Sequence, residues 1–216
     1  MDKYVYEQLG EYHYNCDTCP TRCDGISKLQ YQFGNDSAFS EKYETALIGH
    51  INRQNLCYAQ KSTTPGYPDL EIFNQHPIEL RECVGFIEVK VQQRTFMTVR
   101  HRLPQANLYP SETVALNQSD LLRYFEIKNK TNLPLYLVWI LLNRPCVLGT
   151  HSLRFFHQEA DVLAGVYGSY TDKRRFRRRS GEGDIVDGVH KGVVVNYHFS
   201  LKELIPGLPF GLSDVV

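Results

Sequence analysis

The distribution of apolar and polar residues divides the chain into three parts. Residues 1–34 are rich in Tyr, Cys and polar residues and show no sustained periodicity, which predicts a Cys-rich N-terminal segment without a core of its own. Residues 35–145 carry the regular patterns of helices and strands. Residues 146–216 form a C-terminal extension whose fold is the least defined by the pattern.

The middle part predicts alternating helices and strands. Apolar residues spaced three and four apart indicate a helix over about residues 38–60 with one buried face. Dense β-branched and aromatic residues predict strands at 70–73 and 83–91, and a continuous apolar run predicts a buried strand at 135–142. Ser119 can cap a second helix over 120–130, whose apolar face would hold Leu121, Leu122 and Phe125. This order indicates an α/β layered domain.

In the C-terminal part, the pattern predicts a helix around 155–166, a basic loop and a strand at 193–199. The longest apolar stretch, Leu133–Leu142, is about half of the roughly 20 residues that a membrane-spanning helix needs. The N-terminus also lacks the apolar core of a secretory signal. We therefore expect a cytoplasmic protein that does not contact a membrane.

Charge is balanced overall but not along the chain. Residues 1–90 hold 8 Lys and Arg against 13 Asp and Glu, a net charge of −5, and residues 91–216 hold 16 against 11, a net charge of +5. This asymmetry is compatible with an acidic metal site on one side of the molecule and an anionic partner on the other.

Two carboxylates and a lysine are the main candidates for chemistry. Asp69 opens one predicted strand, and Glu88 and Lys90 lie two residues apart on the next, so their side chains project from the same face. Adjacent carboxylates repel each other unless they share a divalent cation such as Mg²⁺, which prefers oxygen ligands. A nearby ammonium can position a water and offset charge that develops on a phosphate. The set suits metal-assisted phosphodiester hydrolysis.

The motif formed by Pro68-Asp69, eighteen further residues and Glu88-Val89-Lys90 resembles the PD-(D/E)xK nuclease superfamily, whose fold is called restriction endonuclease-like. The resemblance covers about residues 38–143 and implies a mixed central sheet flanked by helices. It also implies that Asp69 and Glu88 bind Mg²⁺ or Mn²⁺ and that Lys90 lies beside the nucleophilic water.

The same resemblance suggests further site residues. Family members often add a carboxylate from the preceding helix, for which Glu44 is the first choice and Glu41 the second, and a glutamine near the following helix, here Gln118. Glu71 would share a strand face with Asp69, so either carboxylate is a candidate for the first ligand. The alternative for the whole set is a group of charged strand residues on a solvated face, because Glu-x-Lys is a common triplet.

The N-terminal segment contains a second candidate metal site. Cys16, Cys19 and Cys23 form a C-x₂-C-x₃-C run, and cytoplasmic thiols stay reduced, which favours a metal over disulfides. His13 would complete a tetrahedral Zn²⁺ site, with Cys57 as the competing fourth ligand. An iron-sulfur cluster and unliganded thiols are the alternatives.

A basic run packs six cations into seven residues: Lys173, Arg174, Arg175, Phe176, Arg177, Arg178 and Arg179. Such a block repels itself and predicts a mobile loop that becomes ordered on an anion. On nucleic acid its cations would release counterions from phosphates, and Phe176 would stack on a base. A smaller basic set could line the same groove: Arg94, Arg100, His101 and Arg102. The alternative is a solvated loop neutralised by downstream acidic residues.

Together these features predict a metal-dependent nuclease, with DNA favoured over RNA because the superfamily that the motif resembles mostly cuts DNA. Many such nucleases form homodimers, although no residue here identifies a dimer surface. The chief alternative is a non-catalytic nucleic-acid-binding protein with a structural metal site. A third is a protein-interaction module whose basic loop binds an acidic partner.

Overall fold

The computed structural model describes residues 33–75, 80–149, 151–179, 185–186, 189–190 and 192–214. The helices are α1 (Phe33–Gln54), α2 (Val99–Arg102), α3 (Gln118–Thr131), α4 (Pro145–Leu148) and α5 (Ala160–Tyr170). The strands are β1 (Tyr58–Lys61), β2 (Leu70–Phe73), β3 (Cys83–Gln92), β4 (Thr113–Asn117), β5 (Leu135–Leu141), β6 (Arg154–Glu159), β7 (Arg175–Arg179), β8 (Ile185–Val186), β9 (Val189–His190), β10 (Val193–Ser200) and β11 (Ile205–Pro206). None of the helices in these ranges is long and apolar enough to cross a membrane.

The central feature is a six-stranded mixed sheet with the order β1-β2-β3-β5-β6-β11. Strands β3 and β5 are parallel, and the other neighbours are antiparallel. A parallel pair needs a crossover connection, which the segment containing α3 supplies. The prediction of an α/β fold with a mixed central sheet flanked by helices is therefore confirmed.

Strand β5 separates two hydrophobic cores because its side chains alternate between the faces of the sheet. Leu137 and Trp139 pack on one face in the core that also receives α3 and α5. Val138 and Ile140 pack on the other face against α1. Burial on both faces explains why this strand reads as a continuous apolar run.

A second, three-stranded sheet has the order β4-β10-β7 and forms a wall beside the first. Strand β10 pairs antiparallel with both neighbours, and Asn196 lies opposite Asn117 on one side and Phe176 on the other. Each sheet therefore combines strands from before and after residue 145. Strands β6 and β11, from the C-terminal part, join the central sheet, and β10 pairs with β4 in the second sheet. The division into three parts stays a prediction for the N-terminal segment, which lies outside the described residues.

The first helix ends earlier than the sequence predicts. It stops at Gln54, where Asn55 adopts a left-handed backbone conformation (φ 53°) that terminates a helix. The next residues form the edge strand β1, in which Ala59 is buried. In α3, Leu121 is buried as predicted, but Leu122 is exposed because the buried face continues through Tyr124.

Two predictions for the C-terminal part are wrong. Residues 154–159 form strand β6, and only the segment from Ala160 is helical. Phe155 and Phe156 pack into opposite cores as β6 pairs with β5, an arrangement that a helix does not allow. The basic run is not a loop, because it forms a short helical turn over Thr171–Arg174 and then strand β7 on the edge of the three-stranded sheet.

Candidate active site

The pairing of β2 with β3 brings Asp69 and Glu88 together. Leu70 lies opposite Ile87, so Asp69, one residue before β2, faces Glu88. The Asp69 backbone N–H donates to Glu88 Oε2 over 3.2 Å, and the Val89 N–H donates to Asp69 Oδ2 over 2.8 Å. The two carboxyl groups are therefore close neighbours. Two ionised carboxylates side by side repel each other unless a proton or a cation lies between them.

Glu88 is the most deeply buried of these groups, with 1% of its surface exposed. Burial raises the pKa of Glu88, and the adjacent Asp69 adds to this effect, whereas Lys90 opposes it. The hydroxyl of Tyr124 in α3 lies next to the Glu88 carboxylate. Burial and the neighbouring acids raise the pKa of Tyr124 in turn, so its hydroxyl keeps its proton.

Lys90 forms an ion pair with Glu88 Oε1. Its side chain is 30% exposed and therefore links the buried carboxylates to solvent. Burial lowers the pKa of Lys90, but the carboxylates of Glu88 and Asp69 raise it more, so the net pKa is above its ordinary value. The amine is thus a fixed positive charge and a hydrogen-bond donor, and it is not a base in this arrangement.

Helix α1 contributes Glu44 to the edge of this group. The Glu44 side chain is 17% exposed, and its carboxylate lies 3.8 Å from Lys61 Nζ. Burial raises the pKa of Glu44, and repulsion by Glu88 contributes. Glu41, the second choice, is 66% exposed and pairs with Lys61 at 2.8 Å. The structure therefore brings Glu44 within electrostatic range of the site and leaves Glu41 at the rim.

Glu71 is held in a separate set of contacts. Gln60 donates to Glu71 Oε2 over 3.1 Å, and the Ser62 hydroxyl donates to Oε1 over 3.2 Å. Both partners belong to the β1 side of the sheet, whereas Asp69 contacts Glu88 on the β3 side. Of the two candidates for the first ligand, Asp69 is the one beside Glu88.

Gln118 does not contact the carboxylates in the structure. It is the first residue of α3, where its amide donates to the Tyr167 hydroxyl over 2.6 Å. Arg175 Nε in turn donates to Gln118 Oε1 over 2.8 Å. These bonds tie the start of α3 to strand β7, so the glutamine joins the basic segment to the helix that carries Tyr124.

A cavity of about 390 Å³ opens beside Lys90, between the central sheet and the three-stranded sheet. Its lining includes side chains from α1, the end of β3, β4, the first turn of α3 and β10: Phe39, Lys90, Arg94, Phe96, Asn117, Asp120 and Asn196. A substrate group in this cavity would lie directly against the amine of Lys90.

Comparison with known proteins finds a distant structural similarity. No protein-family model matches the sequence, and no curated protein matches it. A solved structure similar to this chain is the Holliday junction resolvase Hjc from the archaeal hyperthermophile Archaeoglobus fulgidus. The similarity covers 57% of this chain and 74% of that chain, with 12% identity and a TM-score of 0.34. At that level the interpretation of the site rests on its own residues.

The donor set fits a divalent cation held by two carboxylates. Across the described ranges, no group of three or more His, Cys, Asp or Glu side chains is arranged to hold a metal ion. Mg²⁺ is commonly bound by only one or two protein carboxylates, with water and substrate phosphate completing its shell. Asp69 and Glu88 provide this pair, and each carboxylate oxygen that already accepts one hydrogen bond keeps a second lone pair.

Two residues of the basic run contact other parts of the protein and are not free to contact nucleic acid as predicted. Arg174 is 3% exposed, pairs with Glu203 at 2.6 Å and lies over the Tyr170 ring, 3.6 Å from its centroid. Phe176 is half-buried and packs against the small core around Leu103. The predictions that Arg174 binds phosphate and that Phe176 stacks on a base are therefore not supported by their positions.

Other members of the basic sets remain accessible. Lys173, Arg177 and Arg100 are exposed, and Arg102 is exposed with its guanidinium 5.7 Å from the centroid of the Phe176 ring. Arg175 is partly exposed and pairs with Asp172. The backbones of Arg178 and Arg179 continue strand β7, and their side chains lie outside the described part. These residues form a basic surface around β7 and α2.

The predicted zinc site at Cys16, Cys19, Cys23 and His13 lies outside the described residues. Cys57, the competing fourth ligand, is buried in the core beneath α1, just before β1. Burial raises the pKa of its thiol, which disfavours the thiolate that a metal would need.

Sequence reasoning missed three polar residues beside the site. Tyr124 looks like an ordinary member of an apolar helix face, and only the packing of α3 against β3 places it on Glu88. Asn117 and Asn196 come together only because β4 pairs with β10, a long-range contact for which the sequence has no local signal.

Proposed function

We propose that this protein is a divalent-metal-dependent nuclease of the PD-(D/E)xK type that hydrolyses phosphodiester bonds, with DNA favoured over RNA. The observation that carries the proposal is the convergence of Asp69, Glu88 and Lys90 from two neighbouring strands, with Lys90 lining an open cavity. Carboxylates able to share a cation, next to a fixed ammonium and a space for substrate, are the groups that phosphodiester hydrolysis needs.

Each residue has a separate role in this proposal. Asp69 and Glu88 would hold Mg²⁺ or Mn²⁺, with Glu44 adding negative charge from α1. When bound, such a cation polarises a phosphoryl oxygen and lowers the pKa of a nearby water. Lys90 keeps its proton, orients the attacking water by hydrogen bonding and offsets negative charge that develops on the phosphate. The Asp69 N–H and the Lys90 amine hold the Glu88 carboxylate in position.

The exposed basic surface supplies a place for the rest of the substrate. Lys173, Arg177, Arg100 and Arg102 surround β7 and α2, and β7 is tied to the start of α3 by the bond from Arg175 to Gln118. Cations near phosphates add affinity that does not depend on base sequence. We expect these residues to orient the nucleic-acid backbone toward the cavity beside Lys90.

The test is cleavage of supercoiled plasmid DNA, single-stranded DNA and RNA with Mg²⁺ or Mn²⁺, against EDTA. Asp69→Asn and Lys90→Ala should reduce cleavage at least a hundredfold, and Asp69→Asn should retain metal-free binding to the same substrates. Lys61→Ala is the matched control, because Lys61 pairs with Glu41 and Glu44 at the rim, outside the proposed metal pair.

A wild-type protein that binds nucleic acid but cleaves no substrate with either metal would instead support the non-catalytic binding protein. Absence of binding altogether would favour a protein-interaction module.

A further inference from the structure

The cavity beside Lys90 contains a pair of polar side chains that the proposed chemistry does not use. Asn117, at the end of β4, lies directly opposite Asn196 of β10. Residues directly opposite each other on neighbouring strands project from the same face, and both asparagines line the cavity. They form part of its wall on the side away from the central sheet.

Neither amide is used in the fold. Asn117 occupies the N-cap position of α3, yet its side chain makes no capping hydrogen bond. Within the part of the chain that the structure describes, neither amide group has a hydrogen-bond partner, although both residues are half-buried. An asparagine amide offers two donors and an acceptor, which at this exposure face the water of the cavity. Two adjacent amides that line one cavity can bind a ligand with donors and acceptors of its own.

The lining of the cavity fits a nucleobase better than a phosphate. Asp120 contributes a carboxylate that is paired with Arg123 at 2.8 Å through Oδ1, and its remaining lone pairs can accept a hydrogen bond from an exocyclic amino group. Phe39 and Phe96 contribute half-buried aromatic rings, which offer stacking surfaces to a base. The positive groups, Lys90 and Arg94, complete the lining and suit the phosphate attached to such a base.

Size supports the same occupant. The volume of about 390 Å³ lies at the lower end of the range of small-ligand pockets. It is large enough for one nucleotide. A base can enter only if it is unpaired or turned out of its helix, which costs least in single-stranded or branched nucleic acid.

A row of residues extends from the cavity toward the basic surface. Asn196 pairs with Phe176 of β7 on the side opposite Asn117, and the Arg102 guanidinium lies over the Phe176 ring. Asn117, Asn196, Phe176 and Arg102 therefore form a continuous series from the cavity to an exposed cation. A strand whose base occupies the cavity can extend its backbone along this series.

We infer that the cavity is a binding site for a single unpaired nucleobase, whose edge is recognised by the amides of Asn117 and Asn196 next to the phosphate at Lys90. This inference rests on the proposed function and specifies its substrate class: nucleic acid with at least one unpaired nucleotide at the cleavage position. Intact duplex would be a poorer substrate.

The experiment measures binding without metal, so that cleavage does not contribute. Fluorescence anisotropy with the full chain in EDTA compares a short single-stranded oligonucleotide, the same strand with abasic sites, and the blunt duplex. We expect the single strand to bind at least tenfold more tightly than either of the other probes. Asn117→Ala combined with Asn196→Ala should reduce single-strand affinity about tenfold, in line with the loss of paired amide contacts to a base edge.

The matched control is Asn129→Ala, which removes an exposed asparagine from the same helix that Asn117 precedes. It should bind all three probes like the wild type. The abasic probe tests the inference on unmodified protein and so does not depend on whether a variant folds.

Equal affinity for the intact and abasic strands, or unchanged binding by the double variant, would overturn the inference while leaving cleavage by Asp69, Glu88 and Lys90 intact. Preference for the unpaired base without cleavage under any metal would support the base site and contradict the nuclease proposal. Failure to bind any of the probes would overturn both.

Discussion

Val89 and Asp69 are joined across the β2–β3 ladder by a 2.8 Å hydrogen bond from the Val89 N–H to Asp69 Oδ2. Asp69 stands just before β2 and has no ladder partner of its own, so this bond orients its carboxylate toward Glu88. The orientation therefore depends on an oxygen acceptor at position 69 and not on its charge.

For this reason we expect Asp69→Asn to fold normally and to lose cleavage. The amide oxygen can still accept the hydrogen bond from the Val89 N–H. The substitution also removes the charge of a carboxyl group whose pKa is raised by burial. The free energy of unfolding should therefore change by less than about 1 kcal/mol. Urea denaturation and a plasmid assay measure the two effects. Cleavage at the wild-type rate by this variant would exclude Asp69 as a metal ligand.

Lys90→Met should destabilise the protein as well as inactivate it. Glu88 would lose its counter-ion while buried, and breaking a buried pair costs about 3 kcal/mol or more. Burial raises the pKa of Glu88, so protonation of its carboxylate should relieve the loss at low pH, and the destabilisation should grow as the pH rises above about 5.

Denaturation curves at several pH values test this expectation. The double variant Lys90→Met with Glu88→Gln should recover most of the lost stability and none of the activity. The matched control is Lys61→Met, which breaks an exposed pair with Glu41 and a longer, 3.8 Å pair with the less exposed Glu44, and should change stability by about 1 kcal/mol at most. A Lys90→Met protein as stable as the wild type at pH 8 would mean that Glu88 is not charged.

Arg174 and Arg177 should separate structural from binding roles within the basic run. Arg174→Ala leaves Glu203 without its partner in a nearly buried pair and should reduce the free energy of unfolding by about 3 kcal/mol. Arg177→Ala should leave stability unchanged, because its side chain is exposed, and should weaken DNA binding with a salt-dependence slope smaller by about 1. If Arg174→Ala weakened DNA binding and Arg177→Ala lowered stability instead, the phosphate contact would belong to Arg174.

Protonation of His198 should lower the stability of the protein in acid. Its Nδ1–H donates a hydrogen bond over 3.2 Å to the Arg174 carbonyl, and burial lowers its pKa from 6.5 to about 4. The unfolded chain therefore binds the proton first, so stability is full above about pH 6.5 and falls as the pH drops toward 4, by up to ~3 kcal/mol. His198→Gln should remove this part of the pH dependence in chemical denaturation. An unchanged pH profile would show that His198 is not the group responsible.

Gly85 and Gly165 should respond in opposite directions to alanine. A Cβ at Gly85 would lie 2.9 Å from both Phe210 and the Pro134 carbonyl, which already accepts a hydrogen bond from Phe86. Gly85→Ala should therefore destabilise the sheet by about 1–3 kcal/mol. A Cβ at Gly165, inside α5, meets nothing within 4 Å, so Gly165→Ala should stabilise by up to about 1 kcal/mol. Thermal unfolding of both variants measures the contrast.

The sequence was sufficient for strands whose composition and environment agree. Strands β2, β3 and β5 were predicted because their β-branched and aromatic residues suit a buried sheet. Glu88 and Lys90 are two residues apart, so strand geometry alone places their side chains on the same face. The proximity of Asp69 needed only the short connection between β2 and β3, across which the described strands pair antiparallel. Local rules are therefore sufficient to predict that Asp69, Glu88 and Lys90 lie close together.

Local rules failed where tertiary pairing decides between two conformations. The segment around Phe155 is compatible with a helix until β6 pairs with β5 and sends Phe155 and Phe156 to different cores. The basic run was predicted as a loop from its charge, although the single apolar residue of β7, Phe176 between Arg175 and Arg177, packs inward. Asn117 and Asn196 had no signal at all, because their significance arises from a contact between distant strands.

The separation of these contacts along the chain has a consequence for the order of folding. Asp69 and Val89 are 20 residues apart, so their bond belongs to a short-range hairpin, whereas β4 must wait for β10, far later in the chain, before Asn117 meets Asn196. Short loops close with less entropic cost than long ones, so the carboxylate pair can assemble before the wall that faces it. A nascent chain can therefore bring Asp69, Glu88 and Lys90 together before the strands that complete the facing wall of the cavity have paired.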